Sequence, residues 1–153
     1  MAKKVKDLRV TLEAIRCTNS SGDSGANLEI FGQLEVRGVF IDNQANPQPG
    51  AGSPKVMWSR RESDGGMNIA PNTEFVVDKS VILPVFERDF LWLGGRIVEE
   101  DDFVDDVLGN HFLRIKYENI KPETVSVVFN SEDQEVVARY KVEVLAERVE
   151  QNA

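Results

Sequence analysis

The sequence predicts an all-β fold, a single antiparallel β-sandwich of about eight strands. Apolar and polar residues alternate with period 2 in segment after segment, turn-rich stretches separate those segments, and no amphipathic helix of ordinary length can be drawn. At 153 residues the chain reads as one domain over 1–153, with 1–6 and 149–153 as flexible ends. A domain of this size buries about two-thirds of the surface its unfolded chain exposes, so it needs no covalent staple.

In chain order, Leu8, Val10, Leu12 and Ala14 alternate with Arg9, Thr11 and Glu13, the pattern of a half-buried strand. Asn19 to Gly25 breaks that strand with turn chemistry. A second strand runs from Leu28 to about Phe40, with Leu28, Ile30, Leu34 and Val36 on its core face and Gly32 at a bulge. Asp42 to Pro54 has no apolar period and reads as a long excursion. Lys55 to Ser59 is a short strand, and Arg60 to Asn72, rich in glycine and polar residues, is expected to be an open loop.

Glu74–Val77 and Ser80–Leu83 follow as two strands. Asp78 and Lys79 between them predict a hairpin, although without the favoured glycine. Pro84 demotes the end of the second of these to a sheet edge or bulge. Phe90 to Val98 places Leu91, Leu93 and Ile97 in one phase, and Gly94 and Gly95 allow a sharp twist or close backbone approach. His111, Leu113, Ile115 and Tyr117 then share a face, as do Val125, Val127 and Phe129. The last strand is the clearest, with Val136, Ala138, Tyr140, Val142, Val144 and Ala146 in one phase. Leu12, Val142 and Val144 are the expected core residues.

Composition narrows function. Cys17 is the sole cysteine, which excludes an intrachain disulfide; beside Arg16 on an apolar strand it is a small core residue. A net charge of −8, with Lys3, Lys4 and Lys6 as the only basic cluster, argues against nucleic acid, whose binders carry a basic stripe. No apolar run approaches the length of about 20 residues that spans a bilayer, and the first residues lead into alternating sequence rather than a signal peptide. The chain is therefore expected to be cytoplasmic as synthesised, with release by a signal-independent route left open.

Glu99 to Asp106 holds six carboxylates in eight residues. Repulsion among them requires either full solvation or a cation. Val98, Phe103 and Leu108 recur every five residues, which makes no helical face, so this stretch is a loop between strands. Asp23 and Glu29 flank an earlier loop. Calcium takes six to eight hard oxygens at about 2.3–2.6 Å and tolerates irregular geometry. If the two loops share one end of the sandwich, Asp23, Glu29, Glu99, Asp101, Asp105 and Asp106 are the expected calcium ligands. If they do not, the late loop is a solvated acidic turn.

The order of these features resembles the C2 domain family. Leu8 to Ala14, then Asp23, then Glu29 to Val36 is similar to that family's opening strand, first calcium loop and Asp-Pro-Tyr-Val segment. Ile97 to Asp101 leading to Asp105-Asp106-Val107-Leu108-Gly109 is similar to its Val-x-Asp-x-Asp strand end and Asp-Asp-Phe-Ile-Gly closing turn. The resemblance implies an eight-stranded sandwich and, as in many members, calcium in these loops and docking on anionic phospholipid. Glu29 and Glu99 stand where the family prefers Asp, Ile30 replaces its Pro, and the late loop is one residue shorter. These departures change the shape of any metal cage.

Trp92 lies mid-strand and is expected to pack on the sheet, whereas Trp58 beside Arg60 and Arg61 is a candidate membrane-inserting indole. His111 has no Ser or Cys placed for activation and reads as a capped or packed residue, so no enzyme is expected. Two functions follow. One is a calcium-responsive binding module that docks on a membrane or glycan surface through its acidic loops. The other is a metal-free structural or accessory subunit of a larger assembly, such as a toxin or secretion machine, with a protein partner.

Overall fold

The computed structural model describes residues 2–20, 27–39, 54–99, 106–131 and 134–151, with 19, 20, 106 and 107 described by their backbone alone. Nine strands run through them: β1 (Lys3–Ser20), β2 (Leu28–Val39), β3 (Lys55–Arg60), β4 (Met67–Ile69), β5 (Thr73–Phe86), β6 (Phe90–Glu99), β7 (Asp106–Lys116), β8 (Glu123–Ser131) and β9 (Gln134–Glu150). Short 3-10 turns occupy Glu62–Asp64 and Tyr117–Asn119. One antiparallel sheet has the order β5-β1-β9-β8 and the other β3-β2-β6-β7, while β4 pairs with the start of β2 on the same edge as β3. Apart from β4, this is the eight-stranded, two-sheet sandwich that the resemblance to C2 domains implied.

The alternation does what the sequence asks of it. Leu8, Val10 and Leu12 of β1 and Val136, Ala138, Tyr140 and Val142 of β9 are buried between the sheets against Leu28, Ile30, Leu34 and Val36 of β2 and Leu91, Leu93 and Ile97 of β6. A register shift in β1 between Leu12 and Ala14 changes the phase, so Ile15 and Cys17 continue the core where Leu12 leaves it. Burial drives the Tyr140 phenol far above its usual titration range, with the Glu35 charge adding to the effect.

Several expectations change. Glu74–Val77 and Ser80–Leu83 are not a hairpin: β5 is continuous and antiparallel to β1 along its whole length. The extra residues near Asp78 are absorbed as an irregularity opposite Glu13, where Asp78 takes a positive φ of 48°. Pro84 does lie on an edge strand, as expected from its missing N–H. Arg60 to Asn72 is not an open loop, because β4 within it buries Met67 and Ile69 in the core. Two apolar residues at i and i+2 are too few to show a period. Lys3 to Lys6, expected as a free end, pair with Glu147 to Glu150. Val144, paired with Leu8, is half-buried and packs against the core, whereas Ala146 lies beyond the register shift at Asp7 and Leu8 and is exposed.

Candidate functional site

Antiparallel register brings three strand ends together. Ile30 of β2 pairs with Glu99 of β6, and Glu99 pairs with Asp106 of β7. Glu29, opposite Asn68 of β4, is the next residue of β2. Glu29, Glu99 and Asp106 therefore occupy neighbouring positions at one end of the second sheet. Asp23, Asp101 and Asp105 lie outside the described residues. The chain that carries Asp101 and Asp105 is tethered at Glu99 and Asp106, and the chain that carries Asp23 enters β2 just before Glu29.

Strand alternation separates two of these carboxylates. Glu99 shares the phase of Ile97 and is 2% exposed, whereas Glu29 lies in the opposite phase and is exposed. Among the described residues, no group of three His, Cys, Asp or Glu side chains is close enough to hold a metal ion. The donor chemistry suits a hard cation such as calcium, and a complete cage would need carboxylates from both linking segments.

Trp58 is not a membrane-facing indole. It is 8% exposed and belongs to the main core. His111 is exposed, with its ring edge-on to Phe129 at a centroid distance of 5.8 Å. No helix among the described residues is long and apolar enough to cross a membrane.

A second constellation lies on the outer face of the β3-β2-β6-β7 sheet. Register aligns four rows across β2, β6 and β7: Gln33, Arg96 and Asn110; Glu35, Gly94 and Phe112; Arg37, Trp92 and Arg114; Val39, Phe90 and Lys116. Arg37 donates to Glu35 at 2.8 Å and lies over the Trp92 ring at 4.7 Å. Trp92 in turn stacks on Phe112 at 5.3 Å, and Arg114 lies near the rings of both Phe90 and Phe112. Trp92 thus packs on the sheet as its mid-strand position implies. Gly94 leaves its row without a side chain, and a groove of about 320 Å³ opens there.

The two outer faces differ in charge balance. On the β5-β1-β9-β8 sheet, Arg139 pairs with Glu13 and Glu74, Arg148 with Asp7, and Arg9 with Glu143. The hydrogen bond from Arg139 lowers the Glu74 pKa, as neutralising pairs do. On the second sheet, Arg96, Arg114 and Lys116 are exposed and have no acidic partner among the described residues. Their alignment depends on register between segments far apart in the chain. Gly94, Gly95 and Trp92 were the only local signals.

No protein-family model matches the chain, and no curated protein matches it by sequence. Among solved structures it is similar to human GIVD cytosolic phospholipase A2, in complex with methyl gamma-linolenyl fluorophosphonate alone or with terbium chloride as well. The TM-scores are 0.49 and 0.48, at 13% identity, over 95% of this chain and 18% of that chain. The chain thus spans less than a fifth of the phospholipase. It is also similar to a C2 domain protein from Ramazzottius varieornatus, with a TM-score of 0.44 and 13% identity over 95% of this chain and 93% of that one. Likenesses of this size decide neither fold nor function. The two sheets establish the fold, and the residues at their ends and faces bear on function.

Proposed function

We propose that this protein is a non-enzymatic, calcium-responsive docking module, a C2-like sandwich that engages an anionic phospholipid surface through the carboxylate-rich end of its second sheet. The observation that carries the reading is the cross-strand register of Ile30 with Glu99 and of Glu99 with Asp106. It brings Glu29, Glu99 and Asp106 to one end, beside the segments that hold Asp23, Asp101 and Asp105. Calcium bound among these groups would relieve their mutual repulsion and leave coordination positions for lipid phosphate oxygens. A metal-free accessory module is the second reading, favoured by the opposite phases of Glu29 and Glu99.

Thermal melting tests the proposal. Millimolar calcium is expected to raise the melting temperature by a few degrees, because a ligand of the native state alone stabilises it. Magnesium should do so less, since it demands stricter octahedral geometry. Asp101→Asn with Asp106→Asn should abolish the response and, with it, calcium-dependent cosedimentation with phosphatidylserine vesicles. Equal melting with and without calcium would reject the metal site in favour of the accessory reading.

A further inference from the structure

We propose that the free edge of β8 pairs with the same edge of a second copy of this chain, antiparallel, so that the β5-β1-β9-β8 sheet continues through a two-fold axis into its counterpart. β8 is hydrogen-bonded to β9 on one side and has no strand on the other. Among the described residues no main-chain group outside β9 bonds to the backbone of Glu123–Ser131, which leaves a row of N–H and C=O groups open to pairing. Nor does β7 close over this side. A groove of about 500 Å³ opens between the two strands, lined by Leu113 and Ile115 of β7 and by Glu123 and Val125 of β8.

Edge strands ordinarily carry a feature that discourages pairing, such as a bulge, a proline, a lysine or short length, and the other edges of this sandwich do. β5 has its irregularity at Asp78, with a φ of 48°, followed by Lys79 and Pro84. β7 shifts register opposite Ile97 and Val98 and carries Arg114 and Lys116 further along. β3 is six residues long, shifts register opposite Leu34 and Glu35, and begins and ends on Lys55 and Arg60. β8 has none of these. Its register with β9 is unbroken, and the stretch from Thr124 to Ser131 contains no charged residue and no proline.

The edge fits its own copy. Chains that each carry a net charge of −8 repel, which favours contact along an uncharged strip. With Val127 on the two-fold axis, Val125 faces Phe129 of the second copy, Ser126 faces Val128 and Thr124 faces Asn130. Residues opposite one another in an antiparallel pair share a face, so the inward-facing Val125, Val127 and Phe129 meet one another and the exposed Thr124, Ser126, Val128 and Asn130 do likewise. A slip of two residues in one direction sets Glu123 against Phe129, and in the other carries Thr124 past Ser131, which specifies this register. The neighbouring strand adds charge complementarity. Lys141 of β9 pairs with Thr124 and Glu135 with Asn130, so antiparallel addition places Lys141 of each copy in the same row as Glu135 of the other.

Sedimentation equilibrium from micromolar to submillimolar protein, in EDTA so that calcium plays no part, tests the pairing. Wild type is expected to reach twice the chain mass of 17.2 kDa. Ser126→Lys with Val128→Lys changes two exposed positions and sets lysine against lysine across the axis, which should weaken the dimer about tenfold or more. Ser126→Lys with Val128→Glu sets lysine against glutamate in the same rows and should restore it. Ile82→Lys, at a position 60% exposed on the β5 edge, should leave the dimer intact. Circular dichroism confirms that each variant folds, and amide hydrogen exchange should show β8 protected in wild type and exchanging in the double-lysine variant. A failure of calcium-dependent melting would leave these results untouched. The proposal is overturned if wild type keeps the mass of one chain throughout, if assemblies larger than two form, if the double-lysine variant dimerises as wild type does, if the lysine-glutamate variant is no tighter than the double-lysine one, or if Ile82→Lys disrupts the dimer.

Discussion

Tyr117 holds Lys6 on two sides: the Lys6 Nζ donates to the Tyr117 carbonyl oxygen at 2.7 Å and lies 4.5 Å from the centroid of its ring. The same ammonium donates to the Ile120 carbonyl at 3.1 Å. Lys6 is almost fully buried and belongs to the first sheet, whereas Tyr117 and Ile120 lie in the turn that leads from β7 to β8. One side chain therefore fastens the turn that crosses from one sheet to the other. Lys6→Met keeps the apolar stem but strands two carbonyls, at a cost of about 1–3 kcal/mol. Urea denaturation measures it, and a loss under about 0.5 kcal/mol would mean that water satisfies both groups.

Asp89 sets a pH dependence of opposite sign to that of most carboxylates. Burial raises its pKa above the ordinary value of 3.8, with Lys3 opposing only in part. The folded state thus holds the proton more tightly than the unfolded state. Its contribution is most favourable below pH 3.8 and is lost as pH rises through the folded pKa. Asp89→Asn removes the charge and keeps the backbone carbonyl that accepts from the Tyr117 N–H. The variant should melt about 1–2 °C higher than wild type at pH 7 and level with it near pH 3. Melting curves at the two pH values decide the matter, and a lower melting temperature at pH 7 would show that the half-buried carboxylate is stabilising.

Much of the fold was legible because each strand needs one apolar face, and the phases of Leu8 to Leu12 and Val136 to Val142 survive unchanged. What could not be read was interruption of the period. The turn chemistry of Asp78 and Lys79 is consistent with either a hairpin or a bulge, and only pairing with β1 distinguishes them. Trp58 looked exposed from its neighbours Arg60 and Arg61, but β3 turns its indole inward. The acidic end was legible as charge, while the opposite phases of Glu29 and Glu99 emerged only from register. The row of Arg37, Trp92 and Arg114 left only Trp92 and the neighbouring Gly94 and Gly95 as local signals, because no local pattern records which residues become cross-strand neighbours.

Gly94 offers the most direct check on that register. Its φ is +154°, and an ideal Cβ would lie 2.2 Å from the His111 carbonyl oxygen and 2.6 Å from the Phe112 Cα. Both atoms belong to the backbone of β7, so relief requires the β6–β7 ladder to part. Gly65, with a φ of +70° and nothing within 4 Å of its Cβ position, supplies the control. Gly65→Ala should cost only the conformational strain of about 1–2 kcal/mol. Gly94→Ala should cost about 2–4 kcal/mol, since displacement of the neighbouring strand adds to the strain. It should also move Phe112 off the Trp92 ring and alter indole emission. Equal losses from the two substitutions in urea denaturation would mean that β6 and β7 are not paired in this register.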